Sequence, residues 1–176
     1  MFSAMIDPTG SASEDTGPIP LAPRPADLRG RTVGLLANTK QNAERFLDEV
    51  GELLRGRQEV AGVVRRKKLS ITDTVPPDML ADLAEQCDVV VVGVGDCGSC
   101  SASAVADGLA LEAAGIPAVV ICTEAFTASA DAMARVQGNP GYRYLRTGHP
   151  VAPLDGPGVR KRAEEVLPAI VANLTA

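Results

Sequence analysis

Five short runs of aliphatic and β-branched residues, each followed by a helix-forming stretch, constrain this chain more than any other feature. The runs fall at residues 32–37, 59–65, 88–94, 117–122 and, more briefly, 142–146. The helical stretches fall at residues 41–55, 77–85, 101–114, 127–136 and 159–174. The first helix carries Phe46, Val50, Leu53 and Leu54 on one face, at the 3.6-residue period of a packed helix. Pro76 and Pro77 open the second helix, where a missing N–H costs nothing. Gly115 closes the third. Residues 89–92 and 118–121 lack any polar alternation, so these strands must be covered on both faces. Five strand–helix units with short connections predict an α/β fold: a doubly wound, five-stranded parallel sheet, flavodoxin- or Rossmann-like, with strand order 2-1-3-4-5. A thioredoxin fold fits less well, because it mixes antiparallel strands and has fewer helices.

Length and composition agree with one such domain. The chain has 176 residues and 45% hydrophobic content, enough for one core. Aromatic residues make up only 3% and Trp is absent, so the core is aliphatic. Residues 1–29, rich in Pro, Gly, Ser, Asp and Thr, read as an extended arm before a single domain at 30–176, with a turn at Asp7-Pro8-Thr9-Gly10. The arm either wraps its own domain or packs on a second subunit of a homo-oligomer. A net charge of −5 argues against nucleic acid as a partner. No apolar run approaches the roughly 20 residues that span a bilayer, and residues 1–25 lack the pattern of a secretory signal. The expected location is cytoplasmic, where the four cysteines start reduced.

In sheets of this kind ligands bind beyond the carboxyl ends of the strands. Reactive and polar residues gather there. Asn38, Lys40 and Asn42 follow the first strand. Arg66, Lys67 and Lys68 follow the second. Gly95-Asp96-Cys97-Gly98-Ser99-Cys100 follows the third, Thr123, Glu124 and Phe126 the fourth, and Thr147-Gly148-His149-Pro150 the fifth. The Cys-x-x-Cys pair spans a turn and a helix start, whose positive end favours thiolate over thiol. Cys97 and Cys100 are therefore expected to be redox-active, or else two small residues packing at a helix start. A zinc site would need Cys122 or His149 as further ligands, and no metal is expected. Cys87, before the third strand, reads as an inert buried thiol. Asp96 reads either as an acid/base group or as the cap of the third helix. Ser99, Ser101 and Ser103 cap that helix or donate to a bound carbonyl or carboxylate. His149 is the only histidine and is suited to activating a thiol or moving a proton, although the fifth strand is an edge and a long loop must carry it to Cys97. Asn38, Lys40, Gly98, Ser99, Ser101 and Phe126 are candidate substrate contacts. The basic run 65–68 reads as a solvated face, or as a site for phosphate, carboxylate or a carrier protein. Gly93, Gly95 and Gly98 imitate part of a dinucleotide fingerprint, but on the wrong strand. No cofactor is firmly implied, although the fold leaves FMN open and an external thiol reductant is compatible.

The same residues resemble the UGSC family, named for a selenocysteine-Gly-Ser-Cys motif in which cysteine often stands first, as Cys97 does here. The likeness runs through Asp7-Pro8-Thr9-Gly10, Leu21-Ala22-Pro23-Arg24-Pro25, Gly34-Leu35-Leu36-Ala37-Asn38 with Lys40 and Asn42, and Cys87-Asp88. It continues through residues 93–101, Asp107, residues 111–117, Phe126 and His149-Pro150. A more remote likeness is to the selenoprotein subunits of glycine and proline reductases. A selenol at the first position implies redox or strongly nucleophilic catalysis. The resemblance therefore implies Cys97 as the attacking group and Cys100 as its resolving partner.

Two enzymatic expectations follow, with a third that is not enzymatic. The first is a thiol/disulfide-type oxidoreductase acting on a small electrophile through Cys97, with Cys100 resolving the adduct and a reductant protein or thiol resetting the pair. The second is non-redox covalent catalysis, in which Cys97 adds to an unsaturated or acyl substrate while Asp96 or His149 moves protons for hydration, isomerisation or elimination. The third is a partner-binding module that uses the basic run and the arm.

Overall fold

The computed structural model describes residues 18–176. The turn expected at residues 7–10, with most of the arm, lies outside the described residues. The elements in chain order are β1 (Thr32–Ala37), α1 (Ala43–Gln58), β2 (Gly62–Lys67), α2 (Pro77–Gln86), β3 (Val89–Gly95), α3 (Gly98–Ala113), β4 (Ala118–Thr123), α4 (Thr127–Val136), β5 (Leu145–Thr147) and α5 (Gly156–Leu174), with a single 3-10 turn (Glu124–Phe126) before α4. All strand pairs are parallel, in the order β2-β1-β3-β4-β5. This is the doubly wound α/β fold, in the strand order expected.

The sheet separates two cores. On one side α1 and α5 bury Phe46, Leu47, Leu54, Val166 and Ile170 against Leu35, Val91 and Ile121. On the other, α2, α3 and α4 bury Leu83, Val105, Leu109 and Ala130 against Leu36, Val90, Val92 and Val120. Each such Val, Leu, Ile or Phe side chain contributes about 1.5–3 kcal/mol when fully removed from water. Every residue of β3 and β4 is buried, which is why neither strand alternates in sequence.

Several boundaries differ from the sequence reading, each for a local reason. Helix α1 runs on to Gln58 and ends with Glu59 in the left-handed region (φ 53), which moves β2 to Gly62–Lys67. Tyr142 and Tyr144 have strand composition but lie outside β5. The Tyr142 ring packs against α3, where a Cβ on Gly108 would stand 2.6 Å from its hydroxyl oxygen. The Tyr144 hydroxyl donates to Asp131 (2.8 Å). Helix α3 starts at Gly98, three residues before the expected start, so both cysteines lie at its N-terminus.

The described part of the arm wraps its own domain. Glu112 on α3 is buried and accepts from the Ala22 N–H (2.6 Å) and from the Arg24 guanidinium (two contacts of 2.7 Å). It also accepts from the Ala118 N–H at the start of β4 (2.9 Å). Ile19 pairs with the Asn139 side chain at both its N–H and its carbonyl.

Candidate functional site

The site begins with how β3 ends. Its register against β4 shifts between Val92 and Gly95, so its last carbonyls leave the regular ladder and need other donors. Neighbouring strands supply them from side chains. Asn38 Nδ2, just past β1, donates to the Val94 carbonyl (3.0 Å). Thr123 Oγ1, the last residue of β4, donates to the Gly95 carbonyl (3.2 Å). Gly95 has no room for a side chain: a Cβ there would lie 2.7 Å from both Cys122 Sγ and Ser101 Oγ and 2.8 Å from Ser101 Cα. That close approach seats the N-terminus of α3 directly on the end of the sheet.

Cys97 caps α3. Its sulfur accepts from the Cys100 N–H at 3.2 Å, the N3 donor of the helix. Cys97 and Cys100 are joined as a disulfide with Cα atoms 5.1 Å apart. Cys97 is partly exposed, whereas Cys100 is fully buried. Ser99 is exposed, with its hydroxyl 3.6 Å from the Cys97 sulfur. The other two cysteines stand apart as free thiols. Burial pushes Cys122 up to about 12 and half-buried Cys87 up to about 11, so neither offers a thiolate near neutrality.

Asp96 does not cap the helix, one of the two roles its sequence position allowed. Its side chain turns the other way, into the loop that follows β5. Its Oδ1 lies 2.9 Å from His149 Nδ1, and its Oδ2 accepts from the backbone N–H groups of Val151 (3.1 Å) and Ala152 (2.8 Å). Its side chain is only 1% exposed. Desolvating a carboxylate costs several kcal/mol, so these three contacts are what makes the burial tolerable. On its far side the same loop is held by Asn42, the residue before α1, which takes the left-handed region (φ 64). Asn42 Nδ2 lies within bonding distance of the Val151 (3.2 Å), Ala152 (2.9 Å) and Leu154 (2.8 Å) carbonyls. The loop from the edge strand thus crosses the top of the sheet, clasped between β3 and α1. That is how His149 reaches the residue beside Cys97. Its ring remains about one-third exposed, and Phe126 packs on it nearly edge-on, with centroids 5.3 Å apart and planes at 79°.

The remaining candidates divide. Lys40 lies at the same end of the sheet, and its side chain has no hydrogen-bond or ion-pair partner among the described residues. Asn38 is buried, and its Oδ1 accepts from the Lys40 N–H (3.0 Å), so its side chain builds the loop end. Gly98 lies on the partly exposed first turn, and a Cβ there would stand 3.4 Å from Ser129 Oγ. Ser101 is fully buried with an unpartnered hydroxyl beneath the helix start, which closes it off from any substrate on the surface. Ser103 faces away from the cysteines and donates to the Asp73 carbonyl (2.8 Å). None of the three serines caps the helix; the cap is Cys97.

The basic run is for the most part a solvated face: Arg65 and Lys67 are exposed and Arg66 partly so, each in an ion pair, and only Lys68 is buried. Arg65 pairs with Asp48, Arg66 with Asp82 and Lys67 with Glu44. Lys68 is buried against Asp107, Ser103 and the Asp73 carbonyl. Each cation is already engaged. Sequence reasoning placed Thr123 and Asn42 at this end of the sheet but gave neither a role; Thr123 contacts both Gly95 and His149. The signals for Asn42 were its place between the first strand and the first helix and its part in the family resemblance.

The family model described as UGSC family matches residues 4–176, nearly the whole chain. A search of curated proteins returns no match to it. No helix among the described residues is long and apolar enough to cross a membrane.

Proposed function

The chain belongs to the UGSC family, and we propose that it is a cysteine-dependent enzyme, a thiol/disulfide-type oxidoreductase that works through Cys97. The supporting observation is the asymmetry of the pair: two sulfurs in bonding contact, one partly open to solvent and one fully buried. An incoming electrophile reaches only Cys97, and Cys100 is placed to meet Cys97 and nothing larger. Chemistry at the helix N-terminus favours the Cys97 thiolate.

With a disulfide substrate R–S–S–R′, the Cys97 thiolate attacks one sulfur. A Cys97–S–S–R bond forms, and R′S⁻ leaves and takes a proton. Cys100 then gives up its proton and attacks the Cys97 sulfur, expelling RS⁻ and closing the Cys97–Cys100 bond. The substrate gains two electrons and the pair loses two. An external dithiol, small or carried on a reductant protein, attacks the exposed Cys97 sulfur, is itself oxidised to a disulfide, and restores both thiols. This cycle suits a reducing, cytoplasmic setting, with a small molecule as substrate.

The Asp96–His149 pair favours a second reading, non-redox covalent catalysis. There Cys97 sulfur forms a C–S bond to an unsaturated substrate and the π pair moves to the neighbouring carbon and takes a proton; His149 then removes a different C–H proton, that electron pair forms the new double bond, and the C–S bond breaks to restore the thiolate, giving an isomerised product. One experiment separates the two. Mass mapping of a Cys100→Ser variant treated with a small disulfide should find a stable adduct on Cys97 alone, with turnover lost. Full turnover by Cys100→Ser without added dithiol would move the assignment to the second reading.

A further inference from the structure

We propose that Thr123 is a positioning residue, which together with Asp96 holds His149 with its proton on Nδ1 and the Nε2 lone pair free. The argument follows from counting donors. His149 Nδ1 faces two oxygens, Asp96 Oδ1 at 2.9 Å and Thr123 Oγ1 at 3.2 Å. Ionised Asp96 can only accept, so the hydrogen on that contact belongs to Nδ1. Thr123 has one hydroxyl hydrogen, and a second acceptor competes for it: the Gly95 carbonyl, 3.2 Å away at the end of β3. With its hydrogen directed there, the hydroxyl turns a lone pair toward Nδ1–H. Both oxygens then accept from the same nitrogen, and Nε2 carries no hydrogen in the neutral ring.

The placement of Thr123 suits this role. It is fully buried at the last position of β4, where its backbone pairs with Thr147 of β5, one residue beyond the Gly95–Cys122 pair that joins β4 to β3. Asp96 is likewise fixed by the Val151 and Ala152 N–H groups. Two rigid acceptors and Phe126 across the ring leave the imidazole little freedom to flip. A base oriented by a carboxylate, with its far nitrogen open, is the arrangement that general-base chemistry requires. Resting on the proposed thiol chemistry, Nε2 is then the atom that takes a proton from an incoming reductant thiol and returns it to the leaving thiolate. Proton for proton, His149 ends each cycle as it began.

Nuclear magnetic resonance tests this without reference to turnover, because the chain holds a single histidine. In full-length protein labelled with ¹⁵N, at a pH where the ring is neutral, Nδ1 should show the protonated, pyrrole-type shift and Nε2 the unprotonated, pyridine-type shift. Thr123→Val, close in shape but without the hydroxyl, should speed exchange of the Nδ1 proton with water about tenfold, equivalent to about 1.4 kcal/mol. Thr123→Ser should restore it to within about twofold. A wild-type ring protonated on Nε2, or a folded Thr123→Val indistinguishable from wild type, would overturn the proposal. Should the tautomer stand while Cys97→Ser still turns over, the thiol chemistry fails and the positioning role survives.

Discussion

Cys97 and Cys122 lie near the ends of adjacent strands and differ in what governs thiol reactivity. Cys97 is partly exposed at a helix N-terminus; Cys122 is sealed in the core, with Ser101 beside it. After reduction, iodoacetamide at neutral pH should label Cys97 first and leave Cys122 untouched until the protein unfolds, as peptide mapping will show. Exchanging Cys97 for Ser should lower turnover by about 10³-fold or more. The buried thiols also make stability depend on pH. Unfolded, Cys122 ionises near its ordinary value of 9.0; folded, it keeps its proton to about 12. The unfolded state therefore binds fewer protons between those values. The associated stability is complete below pH 9 and declines as pH rises, by up to roughly 1.4 kcal/mol per unit. Cys87, held up to about 11, acts in the same direction. Urea melts at pH 8 and pH 10 should show the decline, and Cys122→Ala should reduce it.

Helix α3 joins the site to the rest of the fold. One end sits on Gly95; the middle takes the Tyr142 ring at Gly108; Asp107 holds Lys68 and the Val75 N–H; Glu112 anchors the arm. Burial pushes the Asp107 carboxyl up, and the Lys68 ammonium pulls it back. Breaking such a pair leaves a buried charge alone, so Lys68→Met should destabilise the protein by about 3–5 kcal/mol in denaturant melts. The strands were legible because Val89–Gly95 and Ala118–Thr123 are apolar on both faces. What was not legible depends on contacts made far along the chain. The run 65–68 looks like free charge until Asp48, Asp82, Glu44 and Asp107 are brought to it from three helices. Likewise Tyr142 has a strand former's chemistry, and only the notch at Gly108 explains why it packs as a core side chain instead.

At the scale of the whole molecule, the site depends on a loop passing over the sheet. Sequence reading gathered Asp96, Cys97 and His149 at one end. It left open how an edge strand could deliver His149, since the Asp96–His149 contact spans 53 residues. Asn42 and Asp96 supply the means by gripping residues 151–154 from either side. Asn42→Gly keeps the left-handed backbone but removes the grip, leaving partly buried carbonyls without this donor. A loss of about 1–3 kcal/mol is expected in thermal or urea melts. Turnover should also fall more than it does for an exposed control such as Lys161→Ala, because His149 loses its tether.

The cap on α3 has a spectroscopic consequence. The Cys100 amide donates to the sulfur that is proposed to change oxidation state. In the disulfide that sulfur is neutral and a weak acceptor. As a thiolate it carries a full charge and strengthens the bond. Deuterium uptake at the Cys100 amide should therefore slow when the pair is reduced, making one backbone hydrogen a built-in gauge of the redox state of the protein.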